Sequence, residues 1–467
     1  MRISRPLVLS GLFTFAILSS GFGDVEFEVL TVDANEPGHS TAADIDGDGY
    51  NDIVAGKFGP HYTSGTRSVV WYRYPDWDKH VIAAFNYQTD DVVCADVDND
   101  GDIDVFGFKD DDGKLMWFEN PLPGGDPATD TWTEHAIGTG GVGFVKDADA
   151  ADMNGDGKVD LVIRGHGSTA VWLQNSPTSW TQDSHFGHHQ KEGMEVEDMD
   201  GDGDLDIVLN GFWSESGEGW QEHTIDAMWH NQSTGNWWDN NAYVAIGDFN
   251  GDGAPDAAFG HSGTTGFPVN AYCADDPKGT WAKHEVASVV DWCQTLAAGD
   301  MDNDGDIDIM AAVSGGYGNN QEISVFYNNG DGTQWTQQVV ATTGGYSLTL
   351  GDIDNDNDLD ILGERGHHLG PISVWRNLSD PVKAHPDART GARHVENSGW
   401  FLARQDGILF TPHHASQAQT IEVFGLDGRR VASVTVSSDS PRMLKLARGC
   451  YHLRQDTGPA ARVLVSR

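Results

Sequence analysis

Residues 96–104 read Asp-Val-Asp-Asn-Asp-Gly-Asp-Ile-Asp, a nine-residue acidic turn with carboxylates at offsets 0, 2, 4 and 8. Alternate side chains of such a turn converge on one side and offer hard oxygen donors to a single cation, the chemistry calcium requires. Near-copies begin at Asp44, Asp152, Asp198, Asp248, Asp300 and Asp352, so the chain carries seven. The ligand positions are Asp44, Asp46, Asp48 and Asp52; Asp96, Asp98, Asp100 and Asp104; Asp152, Asn154, Asp156 and Asp160; Asp198, Asp200, Asp202 and Asp206. The remaining three loops supply Asp248, Asn250, Asp252 and Asp256; Asp300, Asp302, Asp304 and Asp308; Asp352, Asp354, Asp356 and Asp360.

Offset 3 is always Gly or Asn, and offset 5 is Gly except at Asn357. Both residue types tolerate positive φ, so each loop is expected to turn through the left-handed region twice. No Glu stands at offset 11, where Ala55 and Gly107 are found, and a short apolar segment follows each loop. This disfavours an EF-hand, which carries that Glu and has flanking helices. Solvated acidic turns would account for the charge but not for the spacing or the Gly/Asn positions.

The loop starts lie 52, 56, 46, 50, 52 and 52 residues apart, a period that fits one small antiparallel sheet per repeat. Apolar pairs such as Ile53-Val54 and Ile309-Met310 follow the loops, which places each loop between two buried strands. An aromatic strand comes later in most repeats, at 70–72, 116–118, 171–173, 228–230, 325–327 and 374–376. Several repeats add a Trp-x-x-His pattern, as in Trp77/His80, Trp132/His135, Trp220/His223 and Trp281/His284, and its repetition points to packing and not to metal binding.

These features predict an all-β protein, a seven-bladed β-propeller over residues 24–380. The last aromatic strand has no partner strand after it, while Phe27–Leu30 precedes the first loop with none before it. The N-terminal strand is therefore expected to complete the last blade.

The repeated D-x-D-x-D-G-x-x-D loop followed by an apolar pair resembles the FG-GAP, or VCBS-type, repeat of integrin-like propellers. The resemblance implies up to seven structural Ca²⁺ ions and covers residues 24 to about 380. Its members include adhesins, sugar binders and polysaccharide lyases, so fold alone does not choose among them. Asn154 and Asn250 at offset 2 weaken two of the implied sites.

The full chain holds 72 acidic and 28 basic residues, a net charge of -44, which opposes binding to nucleic acid or anionic membranes. Residues 1–23 combine Arg2 and Arg5, an apolar run too short to span a bilayer, and Gly21 and Gly23 before a cut. They read as a secretory signal peptide, with the mature chain secreted or held at the cell surface. Of four cysteines, Cys273 and Cys293 could pair.

From Asp380 onward the balance reverses, with 12 basic against 8 acidic residues. Residues 381–395 read as a linker, and 396–467 as a small β-sandwich with strands near 421–424, 431–434, 443–446, 451–453 and 463–465. The segments IEVFGLDGRRV (421–431), LARGCYHLR (446–454) and ARVLVSR (461–467) resemble a type IX secretion sorting domain. That resemblance implies contact with a secretion machinery.

If the loops join the first two strands of each blade, segments on the opposite face are the places for chemistry. Candidates there are His166, Arg164, His188, His189, Tyr317, Arg365 and His367 for catalysis, and Trp213, Trp237, Trp238, Trp292 and His261 for ligand binding. Exposed Trp stacks on sugars and Arg holds carboxylates, so a glycan or polysaccharide is the expected partner, with a cell-surface protein as the alternative. Two functions follow: non-catalytic glycan binding or adhesion, and a polysaccharide lyase whose His or Tyr removes a proton beside a neutralised uronate carboxylate. The explicit repeats and the lack of a catalytic motif favour binding.

Overall fold

In a computed structural model, the propeller region is described over residues 25–34, 38–57, 68–84, 91–109, 113–142, 145–165, 168–187, 192–217, 219–230, 241–316, 320–366 and 369–379, and the region beyond 392 through the backbone of eight short strands. The signal-peptide reading of residues 1–23 and most of the 381–395 linker lie outside the described residues.

Six blades are four-stranded antiparallel meanders in chain order. They comprise Gly38–Ala43, Asp52–Lys57, Ser68–Arg73 and Asp78–Ala84; Cys94–Ala95, Asp104–Lys109, Lys114–Glu119 and Thr133–Thr139; and Val145–Ala151, Asp160–Gly165, Ser168–Ser176 and Ser179–Gly187. The fourth to sixth are Glu195–Glu197, Asp206–Leu209, Phe212–Glu215 and Gln221–Thr224; Ala242–Gly247, Asp256–His261, Val269–Cys273 and Ala282–Ala287; and Cys293–Gly299, Asp308–Val313, Ile323–Asn328 and Trp335–Ala341. Every second strand begins on the last Asp of its loop, because that carboxylate anchors the turn that starts it.

Blade 7 takes Tyr346–Gly351, Asp360–Gly366 and Leu369–Asn377 from the end of the ring and Phe27–Asp33 from its beginning. The N-terminal strand runs antiparallel with Phe27 opposite Asn377 and Leu30 opposite Val374, as expected from the unmatched ends. Gln338 reinforces the seam from blade 6, accepting from the Val25 amide at 2.9 Å and donating to its carbonyl at 2.6 Å. First strands of successive blades contact one another from blade 3 to blade 7, and 38–43 meets 346–351, which closes the ring. The architecture is thus an all-β seven-bladed propeller.

The core lies between blades. Third-strand Trp71, Trp117 and Trp213 are fully buried, and each carries the histidine of the next strand on its ring: His80 at 4.7 Å, His135 at 4.4 Å and His223 at 4.4 Å between centroids. Those histidines pack on indoles because strand pairing sets Trp71, Trp117 and Trp213 directly opposite them.

Blade 4 departs from the expected pattern. Its third strand is Phe212–Glu215, and Met228–His230 belongs to a short helical turn, Ala227–His230. The cause is a tight Asn210-Gly211 connection, with Gly211 at φ 78°, which returns the chain at once from the second strand to the third. Cys273 and Cys293 do not pair; both are buried free thiols, and Cys94 is a half-buried one. Burial pushes the Cys293 thiol up to about 12, and it donates to the Thr295 carbonyl at 3.2 Å.

Strands after residue 392 form a second unit: a five-stranded sheet containing Gln419–Phe424, Arg430–Val436, Gly449–Gln455 and Ala461–Val465, and a three-stranded sheet containing Arg442–Leu444.

Candidate functional site

All seven loops adopt one geometry. Offset 3 has φ between 60° and 72°, from Asn303 to Gly47, and offset 5 has φ between 75° and 99°, from Asn357 to Gly101. The Gly/Asn pattern is therefore a requirement of the turn. In the second loop the Asp96 carboxylate accepts the amides of Asp100 and Gly101, each at 3.0 Å. The offset-8 carboxylate is buried and clasps two backbones. One oxygen accepts the amide at offset 1 in every loop, as for Val97 to Asp104 at 2.9 Å. In six loops the other oxygen accepts an amide at or just past the end of the third strand, from Tyr74, Asn120, Gln174, Ser216, Asn328 or Asn377.

The remaining acids converge. Ligand oxygens of Asp44, Asp46 and Asp48, of Asp96, Asp98 and Asp104, of Asp198, Asp200 and Asp206, and of Asp300, Asp302 and Asp304 lie within 4.8 Å of one another in each set. In the second loop Asp102, at offset 6, adds a fifth carboxylate whose two oxygens are buried with no hydrogen-bond partner. Burial and then the charges of Asp100 and Asp104 push it up to about 8. Oxygen-only donors, crowded and partly orphaned, fit a hard dication of the calcium type, which would supply the missing positive charge.

The loops are not equivalent, a feature that offset counting missed. Arg73 Nε lies 2.6 Å from Asp46, Lys278 Nζ 2.6 Å from Asp200, and Arg376 Nη1 3.2 Å from Asp354. Three offset-2 carboxylates thus already face a side-chain cation. Lys158 Nζ meets Asp156 of its own loop at 2.6 Å and holds that carboxyl below the usual range.

On the opposite face the predicted residues separate. Arg164 is fully buried and ties blade 3 to blade 4 through the Gly193 carbonyl and Asn210 Oδ1. Burial lowers it to about 10 against the pull of Asp147 and Glu192, so its guanidinium is an interior strut and does not face a ligand. Trp213 is core, with its N–H on the Pro277 carbonyl at 3.2 Å, and offers no face for stacking. His261 is also buried, against Phe267 at 4.3 Å. His166, His188, His189, Trp237, Trp238, Tyr317 and His367 lie outside the described residues.

Two candidates come together. The Trp292 carbonyl accepts the Ser314 amide at 3.3 Å, and the Arg365 carbonyl accepts the Gly315 amide at 2.9 Å. Trp292 and Arg365 therefore flank the two-residue segment 314–315 where blades 6 and 7 meet. Trp292 is half-buried at φ 51°, and Arg365 is exposed, with Nε on the Thr343 carbonyl at 2.9 Å.

Acids on or just before the inner strands form a second feature that the sequence reading did not single out. Burial and then Asp147 raise Asp91 to about 8; burial opposed by Arg164 raises Asp147 to about 7; Glu195 is pushed well up, first by burial and then by Asp149. Tyr243 Oη of blade 5 lies 3.5 Å from Ser347 Oγ of blade 7, across the ring interior.

Comparison with known proteins matches this architecture. The chain carries FG-GAP-like repeats, with matches over residues 96–163, 152–209 and 300–363, each running from a calcium-type loop into the second strand of the next blade. It is a seven-bladed β-propeller built on such repeats. No curated protein matches it in sequence. Solved structures similar to it include an Agrocybe aegerita lectin specific for non-reducing terminal N-acetylglucosamine, at 14% identity and TM-score 0.41, covering 76% of this chain and 90% of the lectin. BBS1N in complex with ARL6DN aligns at 11% identity and TM-score 0.49, covering 77% and 98% of the two chains. The exotype rhamnogalacturonan lyase YesX aligns at 13% identity and TM-score 0.43, covering 75% of this chain and 72% of the lyase.

Proposed function

We propose that this protein is a secreted or surface-held, calcium-stabilised propeller that binds glycans without catalysis on the face opposite its acidic loops. The observation that carries this reading is the placement of Trp292 and Arg365 on either side of Ser314-Gly315. An indole offers a stacking surface and a guanidinium a bidentate partner for carboxylate or sulfate, which together suit an anionic or neutral saccharide. A non-glycine residue in the left-handed region, as Trp292 is, recurs at ligand clamps, where the fold holds a side chain in place. Calcium at up to seven loops is structural in this reading.

Glycan-array binding of the mature chain tests the reading. Trp292→Ala and Arg365→Ala should each abolish binding with unchanged melting. Ultraviolet-absorbing unsaturated ends released from uronate polysaccharides would replace the binding reading by the lyase, and silence in both assays would replace it by a protein partner. Export rests on residues 1–23 and on the sorting-like region 396–467, whose strands pair as two sheets. No helix among the described residues is long and apolar enough to cross a membrane. Secretion unaffected by deletion of residues 381–467 would refute the sorting role.

A further inference from the structure

The internal repeats serve as controls for one another, and they differ at the seam between blades 1 and 2. Trp117 donates its indole N–H to the Pro177 carbonyl of the next blade at 3.0 Å, and Trp213 donates to Pro277 at 3.2 Å. Trp71 holds the same position in blade 1, and Pro127 is the counterpart of Pro277, with matching Asx turns at Asp126 and Asp276. The Pro127 carbonyl accepts from Trp132 at 3.1 Å, just as Pro177 accepts from Trp180 and Pro277 from Trp281, yet here the third-strand Trp71 N–H, fully buried, has no partner. Trp172 and Trp375 also leave this N–H unmatched; Trp71 lines a cavity of about 240 Å³ shared with Arg73, Asp46, Leu122, Asp126 and Pro127.

The second repeat shows why space is left. At the seam between blades 4 and 5, Lys278 follows Pro277 and places its ammonium 2.6 Å from Asp200 and 2.9 Å from Glu215. At the seam between blades 1 and 2 the residue after Pro127 is Ala128, and Arg73 replaces Glu215. The side chain that fills the gap is missing, and the charge at the end of the third strand is reversed.

We infer that this cavity, on the loop face of the propeller, is a binding site for a single sugar acid of the uronate type. Its volume equals about eight waters at roughly 30 Å³ each, below the drug-sized range and suited to one saccharide unit. Trp71 and Arg73 are two apart on one strand and project to the same side, and both line the cavity. Arg73 uses Nε toward Asp46 and is half exposed, which leaves its outer nitrogens for a ligand. A carboxylate is the acceptor that takes two such donors. Asp126 stands on the opposite wall for ring hydroxyls, and Leu122, Pro127 and Ala128 give an apolar side for the sugar's C–H face. The site is independent of the Trp292 and Arg365 surface.

The test uses the full chain labelled with ¹⁵N at tryptophan, with the Trp71 indole resonance assigned by Trp71→Phe. Titration with glucuronate or galacturonate should shift that resonance saturably, while glucose and acetate should bind at least about tenfold more weakly, the factor expected for losing one charge-assisted contact or the ring. Arg73→Gln should weaken the sugar acid by a similar factor. The double variant R73E/A128K rebuilds the Glu215 and Lys278 arrangement; it should retain parental melting and lose the response. A Trp71 resonance insensitive to both sugar acids, an equal response to acetate or glucose, or sugar-acid binding retained by R73E/A128K would each overturn the proposal. Trp292→Ala should leave this titration unchanged.

Discussion

Asn328 is the residue on which the coupling between blades is most open to measurement. Its amide is 1% exposed and makes four hydrogen bonds: Nδ2 donates to the Phe249 carbonyl at 2.7 Å and to the Ile307 carbonyl at 3.1 Å, and Oδ1 accepts the amides of Gly330 and Gly332, each at 3.1 Å. Phe249 belongs to the fifth loop and Ile307 to the sixth, so one side chain staples two neighbouring cation loops. Asn120, Gln174 and Asn377 reach back to Ile45, Val97 and Met301 in the same way. Asn328→Ala deletes all four bonds, two of them buried and two part-buried, a loss of about 4 kcal/mol at roughly 1 kcal/mol per bond. A ring of about 350 residues unfolds with an entropy near 0.7 kcal/mol/K, so the melting temperature should fall by about 5 °C. Asn328→Asp keeps the acceptor but sets a second oxygen against two carbonyls and near Asp308, and should fall further at neutral pH, with partial recovery in acid as the protonated carboxyl donates again. Circular dichroism melts in chelator isolate the clasp from any cation. A change of less than about 1 °C for Asn328→Ala would show that the amide does not couple the blades.

Deleting residues 24–33 removes the strand paired with Leu369–Asn377 and should abolish cooperative melting of the whole ring; a truncated chain that melts like the parent would sink the closure argument. Calcium should raise the melting temperature, each site contributing about 1.4 kcal/mol at a dissociation constant of ~0.1 mM and ~1 mM calcium. Calorimetric titration should resolve a weaker class for the loops that contain Asp46, Asp200 and Asp354, where Arg73, Lys278 and Arg376 already stand, and Lys278→Gln should strengthen one of them; seven equivalent sites would contradict this. The inner acids set a pH dependence. Asp91 at about 8 and Asp147 at about 7 hold their protons in the folded state above the unfolded value of 3.8, so the stability they add is present in acid and lost as pH rises from about 4 to 8. In chelator, Asp91→Asn should therefore raise melting much more at pH 8.5 than at pH 5; an equal effect at both would refute the assignment.

Much of the ring was legible because its signals are local. Each loop's ligand spacing, its two Gly/Asn positions and the apolar pair that follows are set within about a dozen residues of sequence. The unmatched strand at Phe27–Leu30 even revealed the closure. Blade 4 was misread because an apolar aromatic run at 228–230 imitates a strand, while the Asn210-Gly211 turn that set the true register was overlooked. The candidate site was less legible. Arg164 and His261 stand at the far ends of second strands and Trp213 just inside a third strand, near where a ligand-facing residue would be, yet all three are interior. Whether a side chain after a strand turns outward or into the seam depends on the adjoining blade, which lies some fifty residues away in sequence.

The sequence by itself determined the number of blades, the position and conformation of the seven acidic loops and the seam that closes the ring, since period, backbone handedness and strand pairing are properties of short segments. Only the tertiary structure decided which acids meet a built-in cation, which polar residues staple one blade to the next, that the Trp292 and Arg365 carbonyls hold the adjacent amides of Ser314 and Gly315, and that the place filled by Lys278 at one seam is open beside Ala128 at another. Those outcomes depend on contacts between blades, where hydrogen bonds, charges and unfilled volume are set by two distant segments together.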